Sequence, residues 1–203
     1  MKHILPIAAV TAIAFLFIYL ANLSSPAAPT QSMHTINLTD LSPQQQTQHQ
    51  RAMAAQGEMF QTLISRLTAA MQEAGPTNAI TVCSTDAKTI ADQISTKHNL
   101  QIGRTSNKLR NQNNTPPAWA TQALQSNPTE PLILTNKLGA LALINPIKLA
   151  PTCLQCHGSP TGSNPDIAPQ TQAALNELYP NDQATGYKEG DLRGWFWIQV
   201  PPQ

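Results

Sequence analysis

Cysteine and charge are both scarce in this chain. Three cysteines in 203 residues cannot build a disulfide-stapled scaffold. They also fall short of a zinc site, because two of them stand together and a second ligand pair at metal spacing is missing. Charged residues make up 11% of the chain and the formal net charge is +1, so no basic surface is offered to nucleic acid or another acidic polymer. No internal repeat is present, which excludes solenoid and propeller architectures. The uncharged polar residues Gln, Asn and Thr, together with proline, supply the surface instead.

Two of the three cysteines form the most informative stretch, Cys153-Leu154-Gln155-Cys156-His157-Gly158. Two thiols separated by two residues and followed at once by histidine are the attachment signature of a c-type haem. Each thiol adds to one vinyl group of the porphyrin, and the same tight turn delivers the imidazole of His157 beneath the iron. Gly158 then allows close approach of the backbone or a positive φ. The implied cofactor is one covalent haem c, and its attachment places the domain outside the cytoplasm.

The N-terminus agrees with export. Met1-Lys2-His3 is a short basic start, followed by an apolar run from Ile4 to Leu23 broken by Pro6, Thr11 and Asn22. Its length suits a bilayer-crossing helix, and the preceding lysine favours an N-terminus in the cytoplasm. Residues 1–23 are read as a signal peptide or a membrane anchor, the prolines near Ser25, Ala27 and Ala28 making a poor cleavage site. The protein is then periplasmic, either soluble after cleavage or held at the inner membrane through residues 4–23. Residues 24–42 have a linker's composition, and residues 43–203 have the size of one domain.

Ser42-Pro43 is a strong helix start. From there Met53, Phe60, Leu63, Ile64, Leu67 and Met71 recur at helical spacing up to Gly75-Pro76, predicting a long amphipathic helix. Met53, Met59 and Met71 are read as core filling rather than iron ligands. Thr77 opens a second helix with Ile80, Cys83, Ala87, Ile90, Ala91 and Ile94 on one face, ending at His98-Asn99. Cys83 is left without a partner by cysteine arithmetic. It is an inert small hydrophobe, an intermolecular disulfide or a thiolate on iron, and spacing does not choose among them.

Beyond Asn99 the pattern changes to strands. Leu100 to Ser106 predicts a short strand, Asn107 to Pro117 an irregular segment, and Ala118 to Leu124 a helix. Pro131 to Leu134 and Gly139 to Ile147 predict strands, the second leading directly into the cysteine turn. Gln170 to Leu178 predicts a helix, and Trp195 to Val200 a closing strand whose aromatic residues suit either core or a pocket wall. Arg104 and Arg110 stand out among so few charges. They are candidates for the two haem propionates, which suit the forked guanidinium, or are plain surface arginines. The residues alone give an α+β fold carrying one haem.

The ordered pieces Ala79-Ile80-Thr81-Val82-Cys83, Arg104-Thr105-Ser106, Arg110-Asn111 with Asn114 and Pro116, the cysteine turn, and Tyr179, Asp182, Ala184, Gly186-Tyr187, Gly190-Asp191 and Arg193-Gly194 carry a resemblance. Over about residues 50 to 200 the chain resembles a domain-of-unknown-function family of single-haem c-type cytochromes with a PAS-like fold and His/Cys axial ligation. Gln112 departs from the proline expected after Arg-Asn. The resemblance implies Cys83 as the second axial ligand opposite His157, and a five-stranded antiparallel PAS-like sheet flanked by helices. It also implies a low reduction potential, since a thiolate favours Fe(III).

The expected function is low-potential electron transfer or redox sensing through an unidentified redox partner protein. These 203 residues contain no kinase, cyclase or methyl-accepting segment, so a sensor's output passes through a partner or the membrane segment. A diatomic gas sensor, or a peroxidase-like haem enzyme using His98, is the alternative. An enzyme is not expected, because two filled axial positions leave no open site.

Overall fold

The structure, a computed structural model, describes residues 32–202. The apolar run 4–23 and the adjoining part of the expected linker lie outside the described residues. Within them, no helix is long and apolar enough to cross a membrane. The fold is α+β: a five-stranded antiparallel sheet with four helices.

The strands are β1 (His34–Thr35), β2 (Gln101–Thr105), β3 (Leu132–Thr135), β4 (Leu141–Lys148) and β5 (Leu192–Val200), in the spatial order β1-β3-β4-β5-β2. The helices are α1 (Pro43–His98), α2 (Ala118–Leu124), α3 (Leu154–His157) and α4 (Pro169–Leu178). Period-2 alternation sorts the central strands onto two faces. Leu141 and Leu143 of β4 join Phe196, Ile198 and Val200 of β5 and Ile102 of β2 against α1. Ala142, Ile144 and Trp195 face the other way, packing with Leu134 and with Ala120 and Leu124 of α2. The closing aromatic residues are therefore largely core, with half-buried Trp197 set edge-on to Trp119 at 6.5 Å.

Helix α1 is two arms joined at a kink. Ser42 caps it through a reciprocal capping box with Gln45, as its sequence demands. At Gly75 the backbone takes φ +77° and ψ −171°, a region essentially reserved for glycine, and Pro76 restarts the helix. The arms, 43–73 and 76–98, meet again where Glu58 accepts hydrogen bonds from Lys97 (2.7 Å) and His98 (2.8 Å). Both arms reach the sheet, through Ala52, Ala55 and Met59 on the first and Ile90 and Ile94 on the second.

Two expectations are corrected here. The apolar stripe of the first arm turns only an edge to the core: Leu63 packs against it, but Met53 is 42%, Phe60 49% and Ile64 38% exposed, while Ala52, Ala55, Met59 and Ala70 are buried. Small side chains let the helix approach the sheet closely, and that contact decides the inward face. The 24–42 linker is also structured where it is described. Its β1 pairs with β3, Ile36 donates to the Ile133 carbonyl at 3.0 Å, and Leu41 is buried under α1.

Candidate functional site

Strand β4 delivers the chain to the site. After Lys148 a 3-10 turn, Pro151–Cys153, runs directly into the single helical turn α3. Cys153 and Cys156 are thus three residues apart on helical backbone, a spacing that sets two side chains on one face. All three cysteines of the chain are free, and each is half-buried. Cys153 borders the small cluster Leu149, Ala184 and Tyr187, and Cys156 borders Ile80, Ile167, Leu175 and Tyr179.

His157 is fixed by a bond on one nitrogen. Its Nδ1 lies 2.8 Å from the Ala184 carbonyl. That oxygen can only accept, so Nδ1 carries the proton and Nε2 is left with its lone pair. Burial, with Arg110 and Arg193 nearby, holds the imidazole pKa down to about 3. His157 is therefore neutral at ordinary pH, the state a metal ligand requires. Tyr187 sets its ring edge-on to the imidazole, 6.3 Å away between centroids. The backbone amides of Gly186 and Tyr187 bond the carbonyls of Gly158 (2.7 Å) and His157 (3.0 Å).

Gly158 is needed for space. Its φ is −74°, which any residue adopts, but an added Cβ would stand 2.5 Å from the Asp166 side chain. The Asp166 carboxylate accepts from the Ser159 amide at 2.7 Å. Of the two uses expected of Gly158, the positive φ is not taken, and the glycine makes room for Asp166.

Arg110 lies underneath as a buckle. Its Nε donates to Asp182 at 3.0 Å, and its Nη2 donates to the carbonyls of Cys156 and Ala184. Both side chains of the ion pair are nearly buried, 10% and 8% exposed. Asp182 also accepts from the Ala184 amide at 2.7 Å. One guanidinium thus joins the irregular 107–117 segment, the cysteine turn and the 179–187 segment. Spacing did not reveal this use of Arg110, since its partners are 46 to 74 residues away.

Arg104 differs. On β2 it shares the α1 face with Ile102, it is half-buried, and no hydrogen bond engages it. Its electrostatic neighbours are Cys83 and Tyr179. A half-buried guanidinium with no side-chain partner keeps its donors for a ligand, and a carboxylate suits that fork.

Cys83 faces this group from the second arm of α1, one turn after Ile80, whose side chain packs in the cluster bordered by Cys156. Burial pushes its thiol above the ordinary range, and Arg104 and Arg110 pull it partly back. Cys156 is raised by burial too, with Arg110 opposing and Cys83 and Cys153 adding to the rise. Tyr179, also raised by burial and then by Cys83, reaches about 12. Cys83, Cys156, His157, Arg104 and Arg110 therefore form one neighbourhood. Two of the three α1 methionines lie elsewhere: Met59 is in the sheet core and the Met53 sulfur meets Asn145. His98 is engaged by Glu58. Among the described residues, no group of three or more His, Cys, Asp or Glu could hold a bare metal ion.

Comparison with known proteins gives one family and one fold. The family model Tll0287-like: Tll0287 matches residues 37–201. A solved structure, the crystal structure of the cyanobacterial heme-protein Tll0287, is 23% identical with a TM-score of 0.55, covering 79% of this chain and 97% of that one. No curated protein matches the chain.

Proposed function

The chain belongs to the Tll0287-like family, and from that membership and the site geometry we propose an exported protein carrying one covalent haem c, working in low-potential electron transfer or redox sensing. The observation that carries this reading is the His157 imidazole, its Nδ1 tied to Ala184 and its Nε2 unengaged, beside two free thiols at attachment spacing.

The residues fit the group. Cys153 and Cys156 would bind the porphyrin vinyls, His157 Nε2 and Cys83 Sγ would ligate iron, and Arg104 would meet a propionate. When bound, the haem supplies a one-electron Fe(III)/Fe(II) couple. The chain's own part is positioning and charge. The Nδ1–H bond to the Ala184 carbonyl orients the imidazole and raises its basicity, while Arg110 on the same oxygen draws density away. Burial already favours the thiol at Cys83, so Sγ keeps its proton unless enough positive charge faces it. Cys83 is therefore the residue whose protonation follows the redox state of the site, which suits a sensor.

We read the sheet with its flanking helices as PAS-like and residues 4–23 as the export signal or inner-membrane anchor. The redox partner is a protein. A diatomic gas sensor with labile Cys83 is the second reading, favoured by the same resistance of that thiol to ionisation.

Covalent attachment is tested by staining a denaturing gel for haem. The wild-type band should retain haem, and Cys153→Ser with Cys156→Ser should lose it. A stained double variant, or an unstained wild type made with haem-attachment machinery, would overturn the proposal.

A further inference from the structure

The first arm of α1 presents an apolar seam that the domain covers only in part, the Met53 sulfur meeting Asn145 and Leu67 and Met71 being half-buried. Met53, Gly57, Phe60, Ile64, Leu67 and Met71 follow one another at intervals of 4, 3, 4, 3 and 4, the a/d spacing of a coiled coil. The seam is rotated from the buried line. Met53, Phe60 and Met71 each follow a buried residue (Ala52, Met59, Ala70) by one position, about 100° round the helix. The sheet thus takes one side of this arm and the second arm another, through Glu58. The seam is the remaining side, with Met53, Phe60 and Ile64 38% to 49% exposed.

We infer that this seam joins two copies of the chain. A twofold axis across an a/d seam sets the same residues against each other, so the surface is its own complement. Its flanks favour a copy over a charged partner: Ala54, Gln56, Gln61 and Thr68 are all uncharged, so identical chains meet without repulsion. At Gly57 an added Cβ would meet nothing within 4 Å, leaving room for a second helix to approach closely. The size sets the strength. Met53, Phe60 and Ile64, with the more covered Leu67 and Met71, offer roughly 400 Å² per copy, or about 800 Å² in total, the range of weak, transient contacts. The pattern also spans less than three heptads, so a weak dimer with a Kd of order micromolar follows.

Sedimentation of the protein as isolated, from about 1 to 500 μM, tests this. The expected wild-type mass rises towards two chains across that range. Ile64→Glu and the milder Ile64→Ser should each shift the midpoint at least tenfold higher, while Arg66→Gln on the same arm leaves it in place. Ile64 is exposed, so both variants should keep the wild-type helical circular dichroism. A wild type that stays monomeric throughout would overturn the inference. So would a dimer indifferent to both Ile64 variants, including one held by a disulfide through Cys83 and lost on reduction.

Discussion

On the α1 side of the sheet, thirteen buried side chains form one continuous cluster. The cysteine turn, by contrast, sits between clusters of four and three. What it lacks in apolar burial is supplied by polar ties: the Arg110–Asp182 pair, two guanidinium bonds to carbonyls, and the bonds from residues 184–187 to His157 and Gly158. Buried apolar surface is non-directional, so it can hold a scaffold together without fixing one imidazole. Directional bonds do fix it, at the cost that removing one partner leaves others buried and unpaired. The two regions should therefore fail separately.

Arg110→Ala should have the largest effect. It leaves Asp182 and two carbonyls without their cation, a loss of about 4 kcal/mol confined to the site. Hydrogen exchange should show the amides of Gly186 and Tyr187 deprotected while β4 and β5 stay protected. Equal loss in β4 and β5 would show that the two regions are one unit. The converse variant, Leu143→Ala, opens a cavity in the sheet core worth about 3 kcal/mol. It should lower the urea midpoint while the spectrum of the proposed haem stays that of the wild type.

Gly75→Ala forces a side chain into φ +77° and should cost about 2 kcal/mol, read as a lower melting temperature. The space around it is open, so strain alone acts. The smallest effect concerns the Glu58 tie between the arms. Hydrogen bonds from Lys97 and His98 hold this carboxyl below its usual 4.5. A depressed carboxylate stabilises the fold above its unfolded pKa, and that contribution is lost as pH falls through the lower folded value. Glu58→Gln should remove a small destabilising step below about pH 4.5 in thermal melts and leave the neutral-pH spectrum unchanged.

Much of the scaffold was legible because its signals are local. Beta-branched and leucine runs mark β3 and β4, and Gly75-Pro76 marks the kink whatever surrounds it. The inward face of the first arm was not legible. Hydrophobicity ranked Phe60 and Ile64 above Ala52 and Ala55, but closeness of approach to the sheet chose the alanines. Strand β1 was missed because its order comes from pairing with β3 across about a hundred residues. At the site, the cysteine turn is a contiguous motif and Arg104 an isolated charge, so both could be named. The buckle role of Arg110 depends on two distant carbonyls that the loops bring together, and no spacing in the sequence encodes that.

Optical and EPR spectra of ferric and ferrous protein, wild type beside Cys83→Ala, test the central claim most directly. The ferric wild type should give a low-spin thiolate signal that disappears in the variant, and CO uptake by the ferrous wild type would set sensing ahead of electron transfer. Identical spectra from the two proteins would contradict His157/Cys83 ligation and return Cys83 to a half-buried thiol of the α1 second arm.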